Sequence, residues 1–107
     1  MFKRSAKEVR LSLHAREDLL EVGAYLLKSE SVESASRMLE RIHTKARSLE
    51  HSALIWRERG ELFPHARVVL AHPYAIVYRI DDRIVNIVRI VHGRRDLEAL
   101  FTDEQEI

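Results

Sequence analysis

The sequence predicts an α+β fold: an N-terminal strand, an antiparallel helix hairpin, then a three-stranded antiparallel meander with helices on one face of the sheet and a short C-terminal helical turn. Three observations predict it. Two apolar stripes of helical period lie between residues 13 and 49, separated only by KSES. Two long apolar runs, Tyr74–Ile80 and Ile84–His92, flank a tight Asp81-Asp82-Arg83 turn. A third run, Ala66–Ala71, joins them through His72-Pro73, and connections this short force antiparallel neighbours.

The first strand is expected at Val9–Leu13, where Val9, Leu11 and Leu13 alternate with Arg10 and Ser12. Ser12 is placed to cap a helix, with Glu17 and Asp18 set favourably against the helix dipole. Ala15, Leu19, Val22 and Leu26 form the apolar stripe of that helix, widened by Leu20 and Leu27. The second helix starts at Ser31 with Glu33 in its first turn, and its stripe is Ala35, Met38, Leu39, Ile42, Ala46 and Leu49. Glu33, Arg37, Arg41 and Lys45 follow at i, i+4 spacing on its other side, a pattern that reads as a solvated face supported by a Glu33–Arg37 pair. Gly60 and Pro64 punctuate a loop from His51 to Pro64, in which Trp56 is expected to anchor the loop on the core.

Period-two alternation sorts the strand side chains. Tyr74, Ile76, Tyr78 and Ile80 share one face, grouped with Ile84, Val88 and Ile90 and with Val68 and Leu70, and this bulky set is expected under the helices. The other face then carries Arg67, Arg79 and Arg89 among Val77 and Ile87, an open apolar sheet with basic edges that invites a partner. Leu97–Phe101 closes the domain as a helical turn.

The 107 residues suffice for one domain, 1–107, with flexible ends expected at 1–8 and 102–107. Hydrophobic residues make up 46% and charged residues 33%, a globular balance, and the net charge of +1 does not itself point to nucleic acid. Cysteine is absent, which excludes disulfides and thiolate chemistry and suits a reducing, cytoplasmic setting. No apolar run reaches the roughly 20 residues that span a bilayer, so no membrane partner is expected. Six histidines show no close ligand spacing, and no metal or other cofactor is expected. The three glycines form no phosphate-cradling loop.

The one chemistry left open by the residues is RNA cleavage through the 2′-hydroxyl, which needs a base, cations for the phosphate and a proton donor. His92, Arg94, Arg95 and Asp96 could supply part of this; equally, Arg95–Asp96 could begin the last helical turn, with Arg94 a surface charge.

From about Val9 to Phe101 the chain resembles toxins of the RelE/ParE superfamily of bacterial type II toxin–antitoxin systems. The likeness is carried by LSLHAREDLLEVGAYL and, most strongly, by YAIVYRIDDRIVNIVRIVHGRRDLEAL. In the RelE branch, which cleaves mRNA on the ribosome, the functional positions match Val69, Ala75, Arg95 and Phe101, where that branch has lysine, arginine, arginine and tyrosine. Only Arg95 is kept. Valine and alanine cannot hold an anionic phosphorane, and losing one such contact typically costs about a hundredfold in rate. The resemblance therefore implies the ParE branch: a non-enzymatic toxin that inhibits DNA gyrase by direct binding and is neutralised by a cognate ParD-like antitoxin. It implies no sequence-specific nucleic-acid binding by the toxin itself. On this reading Arg67, Arg79, Arg89, Val77 and Ile87 receive the antitoxin, and His92, Arg94, Arg95 and Phe101 meet the target. A RelE-type nuclease using His92 and Arg95 is the alternative.

Overall fold

The computed structural model describes residues 6–105. Its elements are β1 (Glu8–Leu11), α1 (Leu13–Ser29), α2 (Val32–Ser52), a 3-10 turn (Ala53–Ile55), β2 (Arg67–Ala71), β3 (Tyr74–Asp81), β4 (Ile84–His92) and α3 (Leu97–Gln105). This is the α+β order expected from the sequence. Residues 1–5 and 106–107, part of the ends expected to be flexible, lie outside the described residues; inside them, Glu8 already belongs to β1 and α3 continues to Gln105.

The strands run in the order β1-β4-β3-β2, with β1 parallel to β4 and the other pairs antiparallel. The first strand, whose position in the sheet the meander alone does not fix, is thus one edge and β2 the other. The β3–β4 turn places Asp82 at φ 58°, a left-handed conformation that aspartate tolerates better than most side chains.

Ser12 joins sheet to helix. Its Oγ accepts from the Ala15 N–H at 3.0 Å, capping α1, and donates to the Val88 carbonyl at 2.9 Å. Ser31 caps α2 in the same way, accepting from Ser34 N–H at 3.0 Å. The first turn of α1 holds no acid, so Asp18 does not serve the dipole there. Leu20 and Leu27 do not widen the buried stripe either: they are 75% and 55% exposed.

The helices cover one sheet face, where Ala15, Val22, Leu26, Met38, Ile42 and Leu49 pack on Ile76, Tyr78, Val85, Ile87 and Ile90. Strict alternation misplaces part of β4 and all of β2. Val85 and Ile87 point to the helices and so does Ile90, three residues on. A bulge makes this possible: Val77 stands opposite Arg89 while Tyr78 stands opposite Ile87, leaving Val88 as the extra residue that resets the phase. On β2 it is Val69 and Ala71 that face the helices, while Leu70 is 53% exposed.

The face expected to be open is covered. Leu62, Ala66, Leu100 and Phe101 pack with Val77 and Val91 in a second cluster, and Phe63 meets Phe101 edge-on with centroids 4.9 Å apart. The loop after the 3-10 turn and α3 together act as a lid on the sheet, removing from water the apolar area that β3 and β4 would otherwise expose.

Candidate partner-binding surfaces

The three arginines expected side by side take three different roles. Arg89 is buried, bonding Asp18 of α1 through Nε–Oδ2 at 2.8 Å and Nη2–Oδ1 at 3.1 Å. Asp18 Oδ2 also accepts the Ile90 N–H at 2.8 Å. The cause lies in the topology. β1 pairs with β4 only over Ile84–Ile87. Beyond that point the edge of β4 has no strand beside it, and α1 supplies Ser12 and Asp18 in its place. Arg67 is mostly buried and holds the chain after α2, donating to the carbonyls of Trp56 and Leu54 and reaching Glu58 at 3.5 Å. Arg79 alone of the three lies on the surface, its Nε 3.1 Å from Asp81 Oδ2. Asn86 donates to the same oxygen at 2.7 Å, and this bond, with Arg79 behind it, lowers the Asp81 pKa below the usual carboxylate value.

Val77 and Ile87 are both fully buried, on opposite faces of the sheet. An open patch of Arg67, Arg79, Arg89, Val77 and Ile87 does not exist in this structure. The expectation fails because the bulge puts Ile87 on the other face from Val77, because Arg89 is buried in its pair with Asp18, and because α3 and its preceding loop shield Val77.

At the other end of the sheet the HGRRD segment forms a tight turn. Gly93 N–H donates to the Pro73 carbonyl at 2.7 Å, and a Cβ there would stand 3.0 Å from that oxygen, so glycine is required by close backbone approach. His92 is exposed and meets Tyr74 edge-on at 5.6 Å. Arg94 N–H donates to His92 Nδ1 at 3.2 Å, which leaves Nε2 carrying the proton of the neutral ring. Arg94 and Arg95 are exposed, and Asp96 begins α3 by accepting from Ala99 N–H at 3.1 Å. Phe101, expected with them at the target surface, is only 3% exposed and belongs to the second core.

Of the four positions matched to nuclease residues, Val69 and Ala75 are each 1% exposed and Phe101 3%; only Arg95 reaches solvent. Three grooves reach His92. One runs beside Tyr25, Arg37, Arg41 and Tyr74, a second beside Asp18, Glu21 and Arg95, and a third, of about 310 Å³, beside His72, Pro73 and Arg94. Sequence reasoning missed His72 and Tyr25 because a lone histidine in a turn and a tyrosine on a helix carry no spacing signal. It missed Asp18 as the partner of Arg89, although an acid beside the apolar stripe of α1 was visible.

This fold is shared with toxins of toxin–antitoxin systems. It superposes with a TM-score of 0.72 on a chain of the chromosomal ParDE system from P. aeruginosa, at 18% identity over 81% of this chain and 96% of that one. The corresponding TM-score with a chain of the RelBE2 toxin–antitoxin complex from Mycobacterium tuberculosis is 0.64, at 23% identity over 81% of this chain and 98% of that one. The class is therefore the RelE/ParE toxin fold. Residues 9–97 match the family described as ParE toxin of type II toxin-antitoxin system, parDE, and the chain belongs to that family. It is 32% identical over 82 residues to Toxin ParE3 of Caulobacter vibrioides, covering 77% of this chain and 82% of that protein.

Proposed function

We propose that this ParE-family toxin inhibits DNA gyrase by direct protein contact and is held inactive by a cognate ParD-like antitoxin. The observation that carries the reading is the state of the positions where the nuclease branch keeps its chemistry: Val69 and Ala75 in the sheet and Phe101 in α3 are apolar and buried, so no phosphate could be held there or leaving oxygen protonated. What the surface offers instead is exposed His92, Arg94 and Arg95 on a turn held rigidly by Gly93 and Asp96, a footing suited to a protein contact. For the antitoxin, exposed Arg79 supplies a charge anchor, and an apolar groove of about 630 Å³ between α1 and α2, lined by Leu19, Leu20, Leu39 and Ile42, has the character that takes an amphipathic helix. Inducing the chain alone in bacteria tests the reading. A DNA-damage response with intact transcripts is the expected result, and discrete cuts within translated codons, mapped by primer extension, contradict it.

A second reading, mRNA cleavage, is favoured by one observation. His92 shares its 310 Å³ cleft with His72 and Arg94, which places two imidazoles and a cation around one small space. Arg95, the cation assigned to this chemistry from the sequence, shares a second groove with His92, where Asp18 and Glu21 also line the wall. Transcripts mapped in parallel for the wild type and His92→Gln separate the readings: cuts made by the wild type and lost in the variant require the histidine as a base, and intact transcripts with both chains leave docking.

A further inference from the structure

The groove beside Tyr25, Arg37, Arg41 and Tyr74 encloses about 560 Å³, within the size range of small-molecule sites. From α2 come Ser34, Arg37 and Arg41, which recur at steps of three and four residues and so share one face of that helix. The rest of the wall includes Tyr25 of α1, Tyr74 at the first position of β3 and His92 at the last of β4.

One end of the groove is cationic. Among the described residues Arg37 and Arg41 form no ion pair, the Glu33–Arg37 pair expected from the sequence is not made, and Glu30 is the one acid of the lining. Ser34 stands in the first turn of α2, at the positive end of the helix dipole, which favours an anion further. Two guanidiniums four residues apart, with a hydroxyl one turn before them, form a set of donors matched to the oxygens of a phosphate.

The other end is aromatic. Tyr25 is 62% exposed and pairs with no other ring among the described residues, so its face is open to a planar partner. Tyr74 is 8% exposed, yet its hydroxyl makes no hydrogen bond among the described residues, whereas that of Tyr78 holds the Ala53 carbonyl. A nearly buried hydroxyl in a groove wall, without a protein partner, has only a ligand or water to bond. Burial, with Tyr25 and Glu30 beside it, raises the Tyr74 pKa, so the phenol keeps its proton and can donate. His92 adds a second donor, its Nε2–H, because Nδ1 is engaged by the Arg94 N–H. A simple anion would use only the α2 end of this groove, and an apolar ligand only Tyr25.

We infer that the groove binds a nucleoside phosphate, its phosphate on Arg37, Arg41 and Ser34, its base stacked on Tyr25 and its sugar hydroxyls toward Tyr74 and His92. The site is separate from the cleft of His72, His92 and Arg94 and requires neither a gyrase contact nor cleavage. Stacking accepts every base, so discrimination among bases is weak. A free nucleotide and the phosphorylated end of a strand present the same chemistry, and ligand length separates them.

Calorimetry on the full chain tests the site. The monophosphates of guanosine and adenosine should both bind saturably, with guanosine and inorganic phosphate each weaker by about tenfold or more. Tyr25→Ala should weaken nucleotide binding about tenfold and Tyr25→Phe should restore it, since the ring and not its hydroxyl stacks. Arg37→Ala/Arg41→Ala should abolish binding. Arg47→Ala/Arg57→Ala, which removes the same charge from residues outside the groove, should leave it unchanged. A phosphorylated tetranucleotide that binds no more tightly than the mononucleotides assigns the site to a free nucleotide, and tighter binding assigns it to the end of a strand. Absence of saturable nucleotide binding, inorganic phosphate binding as tightly as the nucleotides, full affinity in Tyr25→Ala, or equal losses in the two arginine pairs each overturns the proposal.

Discussion

Asp18 and Arg89, seventy-one positions apart, form a two-pronged ion pair in which both side chains are 6% exposed, and the same carboxylate holds the Ile90 N–H. The pair closes the edge of β4 where β1 stops, so it fastens α1 to the sheet as a missing strand would. Breaking it strands a buried charge. Asp18→Ala or Arg89→Ala should each cost about 3–5 kcal/mol in urea unfolding, while the double replacement Asp18→Leu/Arg89→Met should recover most of the loss. A double replacement that loses as much as the two single variants together would show that the pair is not a coupled unit.

Arg79 supplies the cleaner test of antitoxin binding, since it is exposed and its pair with Asp81 is a surface one. Arg79→Ala should leave stability within about 0.5 kcal/mol of wild type. Calorimetry against the cognate antitoxin should show weaker binding. An unchanged affinity removes Arg79 from that interface.

Tyr78 is fully buried and donates to the Ala53 carbonyl at 2.7 Å, tying the end of α2 to the sheet. Burial pushes its pKa up to about 12, against about 10 in an unfolded chain. The folded state keeps the proton longer than the unfolded state does. The stabilisation is therefore complete below pH about 10 and is lost as pH rises from there through about 12. Tyr78→Phe should cost about 1–3 kcal/mol at neutral pH, because the carbonyl loses its partner. It should also flatten this alkaline decline, as followed by denaturant midpoints across the window.

Gly93→Ala should destabilise the turn by about 1–3 kcal/mol, since the contact it creates is with the Pro73 backbone rather than with a flexible side chain. Displacement of His92 and Arg94 should accompany it, visible as shifted histidine resonances. Wild-type stability and spectra in this variant would mean that the Gly93–Pro73 approach is not tight in solution.

The order of elements, the cap at Ser12, the start of α2 at Ser31 and the stripe of α2 were legible because each depends on neighbours within one or two turns. Ser12 and Ser31 needed only the residues three ahead of them. The face of β4 was not, because one extra residue at Val88 reverses the alternation and the hydrophobicity of IVNIVRIV gives no sign of where it falls; nor was the face of β2, because Val68 and Leu70 on one side are as apolar as Val69 and Ala71 on the other. The covered sheet face was hidden for a related reason. Leu62, Phe63 and Phe101 lie in segments whose docking depends on the whole tertiary structure. The family came through plainly in YAIVYRIDDRIVNIVRIVHGRRD, yet the assignment of Arg67, Arg79 and Arg89 to one surface did not survive, since each arginine found its nearest acid or carbonyl instead.

On the function proposed above, the HGRRD turn acts by docking on gyrase, with no nucleolytic chemistry behind it. A supercoiling assay with purified gyrase, relaxed plasmid and the isolated toxin tests it most directly, with Arg94→Ala/Arg95→Ala as the comparison. Inhibition by the wild-type chain, accumulation of cleaved plasmid and loss of both in the double variant are expected. Undisturbed supercoiling at saturating toxin, together with cleavage of mRNA on ribosomes by the same preparation, would contradict it.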